Sequence, residues 1–228
     1  MSSQKQSIFK GVALLGSFLV VLVLLFLPFF NGYSALEFMD NLYNSISKGS
    51  ANYLPGVRQE ILQFKNREIQ VTFSMADEKQ AAQTAQLLQA GGSRAQAEGK
   101  SVTIEGDMAG FLLSALDDAE KMYTNQGEHI RNKYGYDERR AMYNWWGALK
   151  AMDFELSKQK LFKEAKLVSV VQNKAVETAY NYYGIEAQSI RFKYGIVIIS
   201  LLFYVVYTLW YGFGVLYLFE GLGLKLGH

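Results

Sequence analysis

The sequence predicts an α+β membrane protein in which two transmembrane helices flank an extracytoplasmic βαββα domain with long amphipathic helices. Three observations lead there. Two uncharged apolar runs, Val12 to Phe30 and Tyr194 to Phe219, each reach the roughly 20 residues needed to cross a hydrocarbon core. Between them, residues 67–124 switch between the two-residue period of strands and the 3.6-residue period of helices. From about Glu138 onward, a proline-free stretch keeps helical spacing as far as Gly184.

Composition narrows the function classes. Of 228 residues, 50% are hydrophobic and only 19% charged, with 15 Tyr, 15 Phe and 3 Trp, which is aromatic-rich and charge-poor beside a soluble domain. A net charge of +2 leaves no basic footprint for nucleic acid. With no cysteine, an outer domain rests on its core rather than on disulfides, and the usual zinc arrangements are missing. His129 and His228 stand too far apart in sequence for a local metal motif.

The elements follow in order. Residues 1–11 form a cytoplasmic N-terminus carrying Lys5 and Lys10, and residues 12–30 the first transmembrane helix. This apolar stretch exceeds a signal core of about 7 to 15 residues, and Gly32-Tyr33-Ser34 is a poor cleavage site, so it reads as a retained anchor. Residues 31–66 hold juxtamembrane amphipathic helices. Ser34-Ala35-Leu36-Glu37 is a capping box, Leu36, Met39, Leu42, Tyr43 and Ile46 recur at helical spacing, and Gly49 reads as a stop. A shorter helix runs from Pro55 to about Lys65.

Residues 67–124 form the small α/β domain. Glu68 to Met75 alternates as a half-buried strand. Asp77 with Gln80 caps a helix ended by Gly91-Gly92, a hairpin turns about Glu98-Gly99, and Asp107 opens an amphipathic helix. The expected sheet has three strands covered by those two helices. Residues 125–193 form a long helical segment in which Met142, Trp145, Leu149, Met152 and Leu156 make one seam. A phase shift near Ser157 to Lys160 predicts a bend or two stacked helices, the second running up to the membrane. Residues 194–219 are the second transmembrane helix, and 220–228 a short cytoplasmic tail with Lys225.

Orientation comes from positive charge near the spans. Lys5 and Lys10 precede the first span and no Lys or Arg follows it closely, so both termini are expected in the cytoplasm and the main domain outside. The loop lacks Asn-x-Ser/Thr sequons, in agreement with a bacterial inner membrane.

No constellation asks for catalysis. Asp117, Asp118 and Glu120 read as a solvated helix face, and the Gly212-Phe213-Gly214 and Gly221-Leu222-Gly223 pairs have no strand before them to make a phosphate loop. No enzyme activity, cofactor or metal is expected. The informative residues are aromatic. Tyr204, Tyr207 and Tyr211 share a face deep in the second span, where phenols need protein partners. Trp145 and Trp146, beside Arg139 and Arg140, cannot both point into one core, so one reads either as an exposed contact residue or as part of a second core facing a folded-back helix.

The expected function is therefore a non-catalytic membrane accessory or scaffold subunit. Its partners would be the lipid bilayer and other membrane subunits or a second copy, with no nucleic acid. An extracytoplasmic ligand-binding or regulatory module signalling through a partner is the alternative. In layout, two spans around an α/β base and long helices, the chain also resembles bacterial polysaccharide co-polymerases, without their proline-rich second span.

Overall fold

The computed structural model describes residues 3–50 and 52–224; Lys225 and His228 lie outside them. In chain order the elements are α1 (Ser3–Leu25), α2 (Ala35–Ser50), α3 (Leu54–Leu62), β1 (Glu68–Ser74), α4 (Glu78–Ala90), β2 (Arg94–Glu98), β3 (Ser101–Asp107) and α5 (Met108–Tyr123). There follow α6 (Gly127–Tyr134), α7 (Glu138–Lys158), α8 (Phe162–Val171), a π-helical segment (Gln172–Glu177), α9 (Thr178–Tyr182), a 3-10 turn (Ile190–Phe192) and α10 (Tyr194–Gly221). They divide into two compact units. One comprises Met1–Ser50 with Glu186–His228, the other Ala51–Ile185.

The first unit contains the two helices long and apolar enough to cross a membrane, Gln4–Leu25 and Tyr194–Gly221. The first is shifted from the expected 12–30. It begins well before the apolar run and stops at Leu25, after which Phe26 to Tyr33 make a turn. The two helices lie side by side, and glycines set how close they come. A Cβ on Gly11 would stand 2.6 Å from the backbone nitrogen of Leu218, and one on Gly221 only 2.7 Å from that of Ile8. Small residues at such positions let helix backbones approach in an apolar medium, where packing replaces the hydrophobic drive.

The capping box forms as expected: Glu37 N donates to Ser34 Oγ (3.2 Å), and Ser34 N to Glu37 Oε2 (2.8 Å). Gly49 does not stop α2, which continues through Ser50. Its bare face instead admits Gln188, whose carbonyl oxygen would lie 2.8 Å from a Cβ there. Gln188 N donates to Ser45 O (3.0 Å), and the hydroxyls of Tyr43 and Ser200 meet at 2.5 Å, tying α2 to the start of α10.

In the second unit the sheet order is β1-β3-β2, antiparallel throughout. Alternation puts Ile69, Val71 and Phe73 of β1, Ala95 of β2, and Val102 and Ile104 of β3 into the core. Thr72 and Thr103 bond through their hydroxyls (2.9 Å) on the exposed face. The layer over the sheet differs from expectation. α4 covers β2 and β3 and α7 covers β1, while α5 lies among α3, α4, α6 and α9 as the central helix. Met108, Phe111, Leu112, Ala115, Leu116, Ala119 and Met122 make it buried nearly all round, which is why it belongs at the centre.

The small sheet and the long helical segment share one continuous core, from Leu54 to Ala179. The expected break near Ser157 is real. Lys160 takes a left-handed φ of 62°, and α8 turns back to pack on α7. A second irregularity, the π-helical segment, brings both Ala175 and Val176 into the core. The helical path does not run unbroken into α10, since α9 ends at Tyr182 and extended chain and a 3-10 turn precede α10.

Candidate interaction site

Asp118 organises the second unit. Far from a solvated face, it is buried, on the inner side of α5. Its Oδ2 accepts from Tyr134 Oη (2.5 Å) and Trp145 Nε1 (2.9 Å), while Oδ1 accepts from Lys133 Nζ (2.8 Å). One carboxylate thereby joins α5, α6 and α7. Burial, with the Asp118 charge beside it, pushes the Tyr134 phenol far above its ordinary value, so it stays protonated and donates. The other two carboxylates face outward, where Arg58 bonds Asp117 (2.7 Å) and Glu120 (2.8 Å).

With Trp145 locked inward and fully buried, its neighbour is turned about 100° around α7 to the surface. Trp145 therefore belongs to the core and offers a partner nothing. Trp146 donates through Nε1 to Glu177 Oε2 (2.9 Å) and stacks loosely on Tyr143 (ring centroids 6.1 Å). Tyr143, Trp146, Glu177, Tyr180 and Asn181 line a recess of about 270 Å³ between α7 and the end of the π-helical segment. Cations ring it: Lys150 lies over Trp146 (4.8 Å), Arg140 over Tyr143 (5.6 Å), and Arg139 over Tyr180 (5.7 Å) and Tyr183 (5.0 Å). Of the expected contact residues, Trp146, Arg139 and Arg140 are thus brought together.

A second cleft, about 370 Å³, lies where α7 and α8 meet and is lined by Asp153, Lys166, Ser169, Asn173 and Lys174 among others. Among the described residues, no three His, Cys, Asp or Glu side chains converge as metal ligands.

Glu138 at the start of α7 receives Arg131 in a two-pronged bond (2.8 and 2.9 Å) and the Tyr183 hydroxyl (2.9 Å). Burial works to raise its carboxyl. Its own backbone amide, Arg131 and Tyr183 outweigh that and hold it below the usual carboxylate range. A folded-state value below the unfolded one stabilises fully above the ordinary range, and the stabilisation is lost as pH falls through and below it. Urea midpoints measured from neutral pH to about pH 3 should fall more for the wild type than for Glu138→Gln. Equal slopes would remove Glu138 from the acid response.

The tyrosines of α10 separate. Tyr207 turns toward α1, donates to Phe18 O (3.1 Å) and stacks on the Phe18 ring at 4.3 Å. Its partner lies within the chain, in a backbone carbonyl that residue type alone does not advertise. Tyr211 packs on Phe18 with tilted rings (centroids 5.3 Å) yet stays half-exposed, and Tyr204 is exposed.

No protein-family model, curated protein or solved structure matches the chain. Glu177, Tyr180 and Lys150 carried no signal in the helical seam. The offset stripe Arg139, Tyr143, Trp146 and Lys150, spaced by four, three and four residues, marks the same face of α7.

Proposed function

We propose that this chain is a non-catalytic membrane accessory or scaffold subunit, anchored by α1 and α10 and assembling through the Trp146 face with a partner membrane protein or a second copy. The supporting observation is that face itself. A half-buried Trp146 and an exposed Tyr143 flanked by Arg are the composition of interface hot spots, and the recess holds a side chain rather than a whole cofactor. Tyr204 and Tyr211 on α10 add a second contact inside the bilayer. Lys5 and Lys10, with no further cation before Lys48, favour cytoplasmic termini and an extracytoplasmic domain in a bacterial inner membrane.

The test is the mass of the detergent-solubilised native complex and the identity of what accompanies the chain. Trp146→Ala should reduce that mass to the chain alone while leaving helix content intact. A companion set that survives Trp146→Ala unchanged removes the face from assembly.

The polar cleft favours a second reading, a ligand-binding or regulatory module, because Asp153, Lys166, Ser169 and Asn173 converge there. A lone chain in the native membrane, with Lys166→Ala altering a ligand-induced stabilisation, would select that reading.

A further inference from the structure

The turn between α1 and α2 is built to sit inside a bilayer rather than beside one. From Phe26 to Tyr33 it holds Phe26, Leu27, Phe29, Phe30 and Tyr33, all exposed, with Phe29 reaching 67%. A water-facing loop of such composition would leave a large apolar patch uncovered. Part of its backbone is closed on itself. Phe26 N donates to Val23 O, Leu27 N to Leu24 O and Phe29 N to Leu27 O, and Pro28 has no N–H to satisfy. Phe30 and Tyr33 exchange both bonds of a tight turn (2.9 and 3.0 Å). Asn31 and Gly32 at its tip take left-handed φ of 51° and 89°, the pattern of a type I′ turn in which Asn-Gly is the favoured pair. Hydrocarbon tolerates irregular backbone only where its polar groups are satisfied, so the Asn31–Gly32 tip, whose amides bond to no backbone carbonyl among the described residues, belongs at the polar edge of the layer, with the Phe26–Phe30 limb below it.

The lengths of the two helices say where this turn falls. Lys10, whose ammonium lies 5.6 Å from the Tyr217 ring, marks one polar boundary. From Gly11 to Leu25 the helix rises only about 22 Å at 1.5 Å per residue, short of a core of roughly 30 Å. The remaining thickness, about 8 Å, falls to Phe26 through Tyr33. On the neighbouring helix, Ser200 lies about 25 Å above Tyr217 at the same rise. The Tyr43–Ser200 bond sets α2 at that level, and Phe30 stacks on Phe38 of α2 (5.3 Å), joining the turn to it.

We propose that Phe26–Tyr33 is a lipid-embedded aromatic turn that completes the crossing begun by α1 and seats the start of α2 at the acyl–headgroup boundary. The partner is the phospholipid layer itself. Recognition is apolar, since the only charges between Lys10 and Lys48 are Glu37 and Asp40, and anionic lipid is not required. The inference rests on the membrane reading of α1 and α10.

The cysteine-free chain permits a direct test. Nitroxide labels at Val20, Phe29 and Asp40, one per protein, are compared in phosphatidylcholine vesicles for collisions with oxygen and with a water-soluble nickel chelate. Phe29 is exposed, so labelling it unseats no packing. The expected order has Val20 deep, Phe29 shielded from nickel by several-fold relative to Asp40, and Asp40 in water. Val20 deep with Phe29 as nickel-accessible as Asp40 overturns the embedded turn and leaves the span intact. Val20 in water overturns the span reading, and the turn with it.

Discussion

Replacing Asp118 by alanine is expected to remove about 3 to 5 kcal/mol from the stability of the Ala51–Ile185 unit, a large share of the roughly 5 to 15 available to a domain. The loss comes from the partners left behind. Trp145 is fully buried and Tyr134 nearly so, and neither can reach water when its acceptor disappears. Each stranded donor costs about 1 to 3 kcal/mol. Lys133 adds less, because its side chain is 37% exposed and can swing outward. Asp118→Asn keeps the volume and one acceptor oxygen but presents an amide hydrogen to a donor, so it should fall between. Urea unfolding followed by tryptophan emission measures the difference. A change below about 0.5 kcal/mol for the alanine variant, the range of an ordinary surface substitution, would mean the carboxylate does not hold the three helices.

The second large effect is steric and lies in the helix pair. Gly11→Leu puts its Cβ 2.6 Å from Leu218 N and 3.0 Å from Gly214 O, backbone atoms that move only if the helices part. Leucine is the better helix former, so local propensity pulls the other way and cannot be the cause of any loss. Cysteines at Phe18 and Tyr207, whose rings stack in the wild type, should be joined efficiently by a short bismaleimide in membranes. Gly11→Leu should abolish most of that product. Gly16→Leu, where a Cβ meets nothing within 4 Å, should leave it unchanged. Equal yields from both variants would refute close packing at Gly11.

What could be read in advance was whatever a short window of sequence decides. The capping box at Ser34 and Glu37, the alternation through Ile69, Val71 and Phe73, and the uncharged runs are each settled by neighbours a few residues apart. The misreadings came where a distant group decides. Asp118 looks solvated beside Asp117 and Glu120, and only Trp145 and Tyr134 arriving from other helices make it a core residue. Gly49 looks like a helix stop until Gln188 occupies the space it leaves. α6 is short and nearly all polar, with Ile130 and Tyr134 its buried large side chains, so it offers few apolar positions from which to read a period. The π-helical segment is invisible because Ala175 and Val176 fit an α-helical stripe equally well.

The contact of Gly49 with Gln188 also bears on how the chain is made. The 51–185 unit is inserted into the middle of the helical pair, and the chain segments flanking it meet at that contact. During synthesis α1 emerges long before α10, and a disordered insert would have to be closed as one long loop. Once the insert has folded, only a few linker residues remain to be gathered, lowering the closure cost by roughly 2 kcal/mol. A folded inserted unit thereby favours pairing of α1 with α10, and a chain that fails to fold between residues 51 and 185 closes the pair at that added cost.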